Sequence, residues 1–145
     1  MSEEAVWSHV EEWHKRGVDF QVTVKRWSFP ESHWNPREGR QVWNVYAFIY
    51  PKHRLWDSFE GPDMFQPAAN DLPLHCGPTF LEYHIGQDGK VESLQVGSDY
   101  RHQGDARFSH YKTREEAWQV FQDAEELFTH LSTNPEDTNT EKEEQ

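Results

Sequence analysis

The sequence predicts an α+β domain, an antiparallel sheet of about four strands packed against N- and C-terminal helices. Three observations point there. Apolar residues alternate with polar ones through most of the middle of the chain, Gly-rich turns are short, and the region around residues 113–131 switches to helical spacing. Short hairpin-like links between the strands favour antiparallel pairing with the helices on one face. The 145 residues suit one core, so we assign 1–131 to a single domain and 132–145 to a disordered acidic tail. Seven Trp, five Tyr and nine Phe build that core from few side chains, each ring removing about 150–250 Å² from water.

The first element reads as a helix. Ser2 suits an N-cap, Glu3 and Glu4 complement the positive end of the helix dipole, and Gly17 suits a C-terminal stop. Val6, Val10 and Trp13, with Trp7 beside them, fall at helical spacing. From Val18 the period becomes two, with Phe20, Val22 and Val24 alternating with Gln21, Thr23 and Lys25. Trp27 and Phe29 then fall out of phase, which predicts a bulge near Arg26. Pro30 to Gly39 is a charged loop.

Gln41 to Tyr50 is the central strand, with Trp43, Val45, Ala47 and Ile49 on one face and Val42, Tyr46, Phe48 and Tyr50 on the other. The aperiodic stretch Lys52–Pro73 is too long for an ordinary connection and is a candidate binding loop. Thr79–Ile85 and Lys90–Gly97 flank Gly86-Gln87-Asp88-Gly89 as a hairpin. A polar loop, Ser98–Lys112, leads to the last helix. There Thr113 and Glu116 form a capping box, and Ala117, Val120, Phe121, Ala124, Leu127, Phe128 and Leu131 make one apolar stripe.

Composition excludes several function classes. One cysteine cannot build a disulfide framework, and no apolar run reaches the ~18 residues of a membrane span. Met1-Ser2-Glu3-Glu4 lacks the pattern of a signal peptide, so a cytoplasmic protein is expected. The net charge of -12 disfavours direct nucleic-acid binding, because an acidic body repels phosphate. The same charge suits an acidic or aromatic surface that engages a host protein, including a nucleic-acid mimic that inhibits a host complex. Trp27, Trp34, Trp43 and Trp56 are candidates for such a surface, with core packing the alternative for each.

Histidine is the chemically telling residue type. Nine occur, and His75 and His102 lie in loop-edge segments with Asp99 and Asp105. Asp99, His102 and Asp105 are spaced by three and share one face of a tight turn. If the hairpin pairs as drawn, His75 enters the same edge from which Asp99 leaves. Imidazoles with carboxylates are ligands for zinc, manganese or non-haem iron, and they can also work as a general base. His75, Asp99, His102 and Asp105 are therefore candidates both for one divalent metal ion and for hydrolytic catalysis on a metal-bound water. The alternative is that they cap loop backbone. Cys76 beside His75 is a poor nucleophile candidate on this reading, since neighbours on an extended strand point to opposite faces.

Three ordered segments carry a resemblance: His53-Arg54-Leu55-Trp56, His75-Cys76-Gly77-Pro78-Thr79-Phe80, and Gly97-Ser98-Asp99-Tyr100-Arg101-His102-Gln103-Gly104-Asp105. They resemble a recurring group of small bacterial and phage proteins of uncharacterised activity. The pattern of that group is a Tyr-containing strand ending in His-Pro-Leu-aromatic, then His-Gly-Gly-x-Thr-aromatic, then Gly-x-Asp-x-x-His-x-x-Asp. Arg54 stands where the pattern has proline and Cys76 where it has the first glycine. The resemblance spans Trp43 to Asp105 and implies a shared site and a phage or mobile-element context, without naming a reaction.

Overall fold

In the computed structural model, residues 10–28 and 40–132 are described. Five strands, β1 (Val10–Gly17), β2 (Phe20–Ser28), β3 (Gln41–Ile49), β4 (Phe80–Ile85) and β5 (Val91–Asp99), form one antiparallel sheet in the order β1-β2-β3-β5-β4. A single-turn helix, α1 (Pro67–Asn70), and the long C-terminal helix α2 (Trp118–Ser132) complete the α+β fold. No helix among the described residues is long and apolar enough to cross a membrane.

The N-terminal helix expected from Ser2 to Gly17 is not what forms over its second half. Val10–Gly17 is an edge strand, paired residue for residue with β2 from Val10↔Trp27 to Gly17↔Phe20. An eight-residue ladder satisfies the backbone there, overriding a weak helical periodicity. Gly17 has a different task from stopping a helix. A β-carbon at Gly17 would lie 2.1 Å from the Phe20 ring, so glycine lets that ring fold under the hairpin. Asp19 takes φ +64° in the turn, a conformation that a short polar side chain tolerates. The expected Ser2 cap, Val6 and Trp7, the Pro30–Gly39 loop, Trp34 and the tail from 133 lie outside the described residues.

The bulge expected near Arg26 is absent: β2 pairs with β3 without interruption from Phe20↔Ile49 to Ser28↔Gln41. Arg26 keeps the strand in phase by pointing inward, only 7% exposed. Its guanidinium donates to Glu11 Oε1 from Nε at 3.0 Å and Nη2 at 2.7 Å, and to Gln41 Oε1. A buried cation so supplied with acceptors substitutes for an apolar residue. Among the described residues, the ladder irregularity lies between His84 and Ile85.

As expected, β3 is central, and Trp43, Val45, Ala47 and Ile49 are buried against the helix side. Trp13 stacks on Trp43 with centroids 5.8 Å apart, and Phe121 of α2 meets both rings edge-on. The capping box forms: Glu116 N donates to Thr113 Oγ1 at 3.1 Å, while Glu116 Oε1 accepts from Lys112 N at 2.8 Å. Val120, Ala124, Leu127 and Leu131 of α2 are buried on the sheet. Lys52–Pro73 contributes Phe59, Ala69 and Leu72 to the same core, so much of that long connection is a core cover.

Candidate metal centre

Two loops meet at one end of the β4–β5 hairpin. The first, ahead of β4, turns sharply: Gly77 N donates to Leu74 O at 3.0 Å, and Cys76 and Gly77 both adopt positive φ, +58° and +85°. The second leaves β5 at Asp99 and closes on itself at Asp105. Thr79 clasps the two, its N–H donating to Gly97 O at 2.8 Å and its hydroxyl accepting from Asp99 N at 3.2 Å.

The four residues singled out from spacing converge here. His75 Nε2 donates to Asp105, 2.8 Å from Oδ2 and 3.0 Å from Oδ1. His102 Nδ1 lies 3.4 Å from Asp105 Oδ2 and 3.6 Å from Asp99 Oδ1, too long for good hydrogen bonds. That nitrogen is buried and has no hydrogen-bond partner among the described residues. The two imidazole rings are 5.6 Å apart, at 72° to one another.

The carboxylates are committed to the loop. Asp105 Oδ2 accepts from His102 N at 2.9 Å, and Asp99 Oδ1 accepts from Arg101 N at 3.2 Å, as short acidic side chains do in turns. Burial alone would raise the Asp105 pKa, but the His102 amide and the His75 ring outweigh it and hold the group below its ordinary value. It is an anion positioned to orient His75.

The imidazole of His75 is also held on its face. Tyr100 stacks on it with centroids 4.2 Å apart and planes 10° from parallel, and Phe108 meets it edge-on. Tyr100 is fixed in turn by its hydroxyl, which donates to Asp123 Oδ2 on α2 at 2.5 Å. Burial, then that carboxylate, pushes the phenol pKa far up, so it stays a donor. The helix thus sets the plane of His75 through one intervening ring.

A third donor joins the histidines. One ligand atom from each of His75, Cys76 and His102 lies within 4.8 Å of the others, a group that could hold a metal ion. The spacing argument missed Cys76 because it placed the residue on an extended strand. The left-handed turn at Cys76 brings its side chain to the imidazoles instead, and the exposed thiol keeps access to solvent. The signal that could have found it is the Gly-Pro pair after the cysteine, which marks a turn rather than a strand.

Beside this group is a cleft of about 430 Å³ lined in part by Arg40, Arg101, His102, Asp105 and His110; neither His75 nor Cys76 borders it. The His53 segment of the resemblance lies elsewhere, against the C-terminal end of α2. No family model matches this chain, and no curated protein or solved structure matches it either.

Proposed function

We propose that this chain is a small accessory protein that binds one divalent metal ion through His75, Cys76 and His102. Asp105 orients His75, and Asp99 shapes the loop. The observation that carries the reading is the convergence of two imidazoles and a thiol from loops 26 residues apart in sequence, His102 against Cys76, within 4.8 Å. Two nitrogens and one sulfur favour zinc over harder cations, which prefer oxygen. In a zinc site of this type, ligand atoms stand roughly 3.3–3.8 Å from one another, so closure of about 1 Å on binding completes the group.

Three protein ligands leave a fourth position for water, whose pKa an ion of this kind lowers to about 7. Hydrolysis of a small substrate bound in the adjoining cleft is the activity that fits. His102 and Asp105 border both the metal group and the cleft, so they are the residues positioned to meet substrate. The phage or mobile-element setting rests on the resemblance of the three segments alone.

Elemental analysis of protein purified without chelator tests the metal, with Cys76→Gly and His102→Ala measured alongside. One equivalent per chain in the parent and none in either folded variant is the expected result. An absence of tight zinc binding by the folded parent, or equal binding by both variants, overturns it.

A further inference from the structure

The cleft of about 430 Å³ beside the metal group is walled by two segments that the sheet brings together. Tyr100 N donates to Trp43 O at 3.1 Å, which carries the β3–β5 pairing one step past Asp99 and lays the chain leaving β5 against the start of β3. Arg40, just ahead of β3, and Arg101, just after Tyr100, therefore border one space, with His102 and His110 beside them. Two polar side chains sunk into its wall, Gln41 and Asp105, are each only 6% exposed. Arg26 donates to Gln41 Oε1, and His75, which does not border the cleft, donates to Asp105. The loop is braced before any ligand arrives. Asp105 N donates to His102 O at 2.9 Å, and Arg107 donates to Gly104 O at 3.2 Å and to Gln119 Oε1 of α2 at 3.0 Å.

Among the residues that line this cleft, two guanidiniums are set against one carboxylate. Asp105 is engaged through both oxygens, by His75 and by the His102 amide, and Asp99 next to the cleft accepts from Arg101 N. Among the described residues, Arg40 has no carboxylate within ion-pair distance. Arg107 behind the loop adds a third cation. Zinc on His75, Cys76 and His102 adds two positive charges against one negative charge from the thiolate. Screening confines each more distant charge to about 8 Å at physiological salt, so a small ligand meets the nearby groups and not the whole-chain charge of -12.

From this juxtaposition, and resting on the reading of the cleft as the substrate site, we infer that the substrate is a small phosphate monoester whose phosphate is held by Arg40 and Arg101. A guanidinium fork takes two oxygens of an anion side by side, so one arginine already satisfies a carboxylate. A phosphate monoester carries three terminal oxygens and a charge of about −1.5 to −2 at pH 7, enough for two forks and the N–H of His110. The volume leaves room beyond the phosphate for an organic group of about one ring, since pockets for small molecules start at roughly 300 Å³. In the hydrolysis, water adds to phosphorus, the P–O ester bond breaks, and the alcohol leaves with a proton from that water, giving inorganic phosphate.

Phenyl phosphate is the probe, titrated calorimetrically into zinc-replete and zinc-stripped protein in about 0.15 M salt, with zinc content measured on the same samples. Saturable binding to both is expected. Arg40→Gln and Arg101→Gln each weaken it roughly tenfold, the worth of one charge-assisted contact. Benzoate, the same ring on a carboxylate, binds about tenfold more weakly still than the phosphate ester. Arg16→Gln, at the other end of the strands near the β1–β2 turn, leaves the affinity unchanged, which excludes a response to overall charge. Zinc-replete protein releases phenol from the bound ester. The inference is overturned if the folded, zinc-replete parent takes up no phenyl phosphate at about 10 mM, where even weak complexes form. Unchanged affinity in folded Arg40→Gln, benzoate binding as tightly, or bound ester that releases no phenol from zinc-replete protein overturns it equally. A parent that holds no zinc yet binds phenyl phosphate through Arg40 keeps the phosphate site and removes the metal alone. A parent that holds zinc and refuses phenyl phosphate does the reverse.

Discussion

His53 and His75 each follow a strand or precede one, each is held by a hydrogen bond on Nε2, and each packs on an aromatic ring. The difference lies in what happens to the second nitrogen. His53 Nε2–H donates to Leu131 O at 2.9 Å, and its Nδ1 accepts from Leu55 N at 3.1 Å. Arg54 adds a bond from Nη2 to His130 O at 2.7 Å. Together they satisfy carbonyls at the C-terminal end of α2, which an ordinary helix end leaves open. His53 is thus a neutral pin with both nitrogens spent on backbone. His75 spends Nε2 on a carboxylate and stands beside a thiol and a second imidazole, one nitrogen of which is buried without a partner among the described residues. A histidine becomes a ligand candidate by retaining donor capacity among other donors, not by lying in a loop-edge segment.

The largest effect that breaks this comparison is His53→Ala. It removes one buried and one half-buried hydrogen bond and ring packing on Phe20, costing about 2–4 kcal/mol in urea denaturation. Zinc stoichiometry stays at one; a fall in zinc content at unchanged fold would erase the distinction between the two histidines. Asp105→Asn acts oppositely. Weakened orientation of His75 lowers zinc affinity roughly 10- to 100-fold, equivalent to about 1.4–2.7 kcal/mol, read by competition with a chelating dye.

Acid separates them again. Burial, partly offset by the Leu131 carbonyl and reinforced by the nearby Arg54 cation, lowers the His53 pKa. A folded-state pKa below the unfolded value gives stability that is complete above about pH 6.5 and lost as pH falls through the folded value. Burial lowers His130 as well, with the same sign. Asp105 adds a later loss, since its depressed folded pKa gives stability present above about pH 4 and lost below it. Urea midpoints measured against pH are expected to fall in two stages, and His53→Gln flattens the first while Asp105→Asn flattens the second.

The smallest expected effect is the sharpest. Cys76 sits at φ +58°, a conformation that favours glycine, so Cys76→Gly removes strain and raises stability by about 0.5–1 kcal/mol while removing a metal donor. Gain of stability with loss of zinc identifies a strained side chain kept for what it binds. Loss of both would make Cys76 a packing residue.

Much of this was legible in the chain. The alternation of Trp43, Val45, Ala47 and Ile49, the Gly-rich turn between β4 and β5, and the capped apolar stripe of α2 are local patterns whose energetics do not depend on distant partners. Spacing by three also placed Asp99, His102 and Asp105 together, because a tight turn obeys the same local geometry. Where the reading failed, the deciding contacts were distant. Val10–Gly17 carries a helical pattern too weak to resist an eight-residue ladder with β2. Arg26 breaks the alternation on paper but not in space, since Glu11 and Gln41 come from neighbouring strands to meet it.

The sequence by itself determined four of the five strands of the sheet, the capped C-terminal helix and the turn that gathers Asp99, His102 and Asp105, because these follow from periodicity and side-chain reach over a few residues. Only the tertiary structure decided that Cys76 joins the histidines and that Tyr100 and Asp123 fix the plane of His75. Each of those depends on backbone handedness or on pairing register, which bring together residues that no local pattern relates.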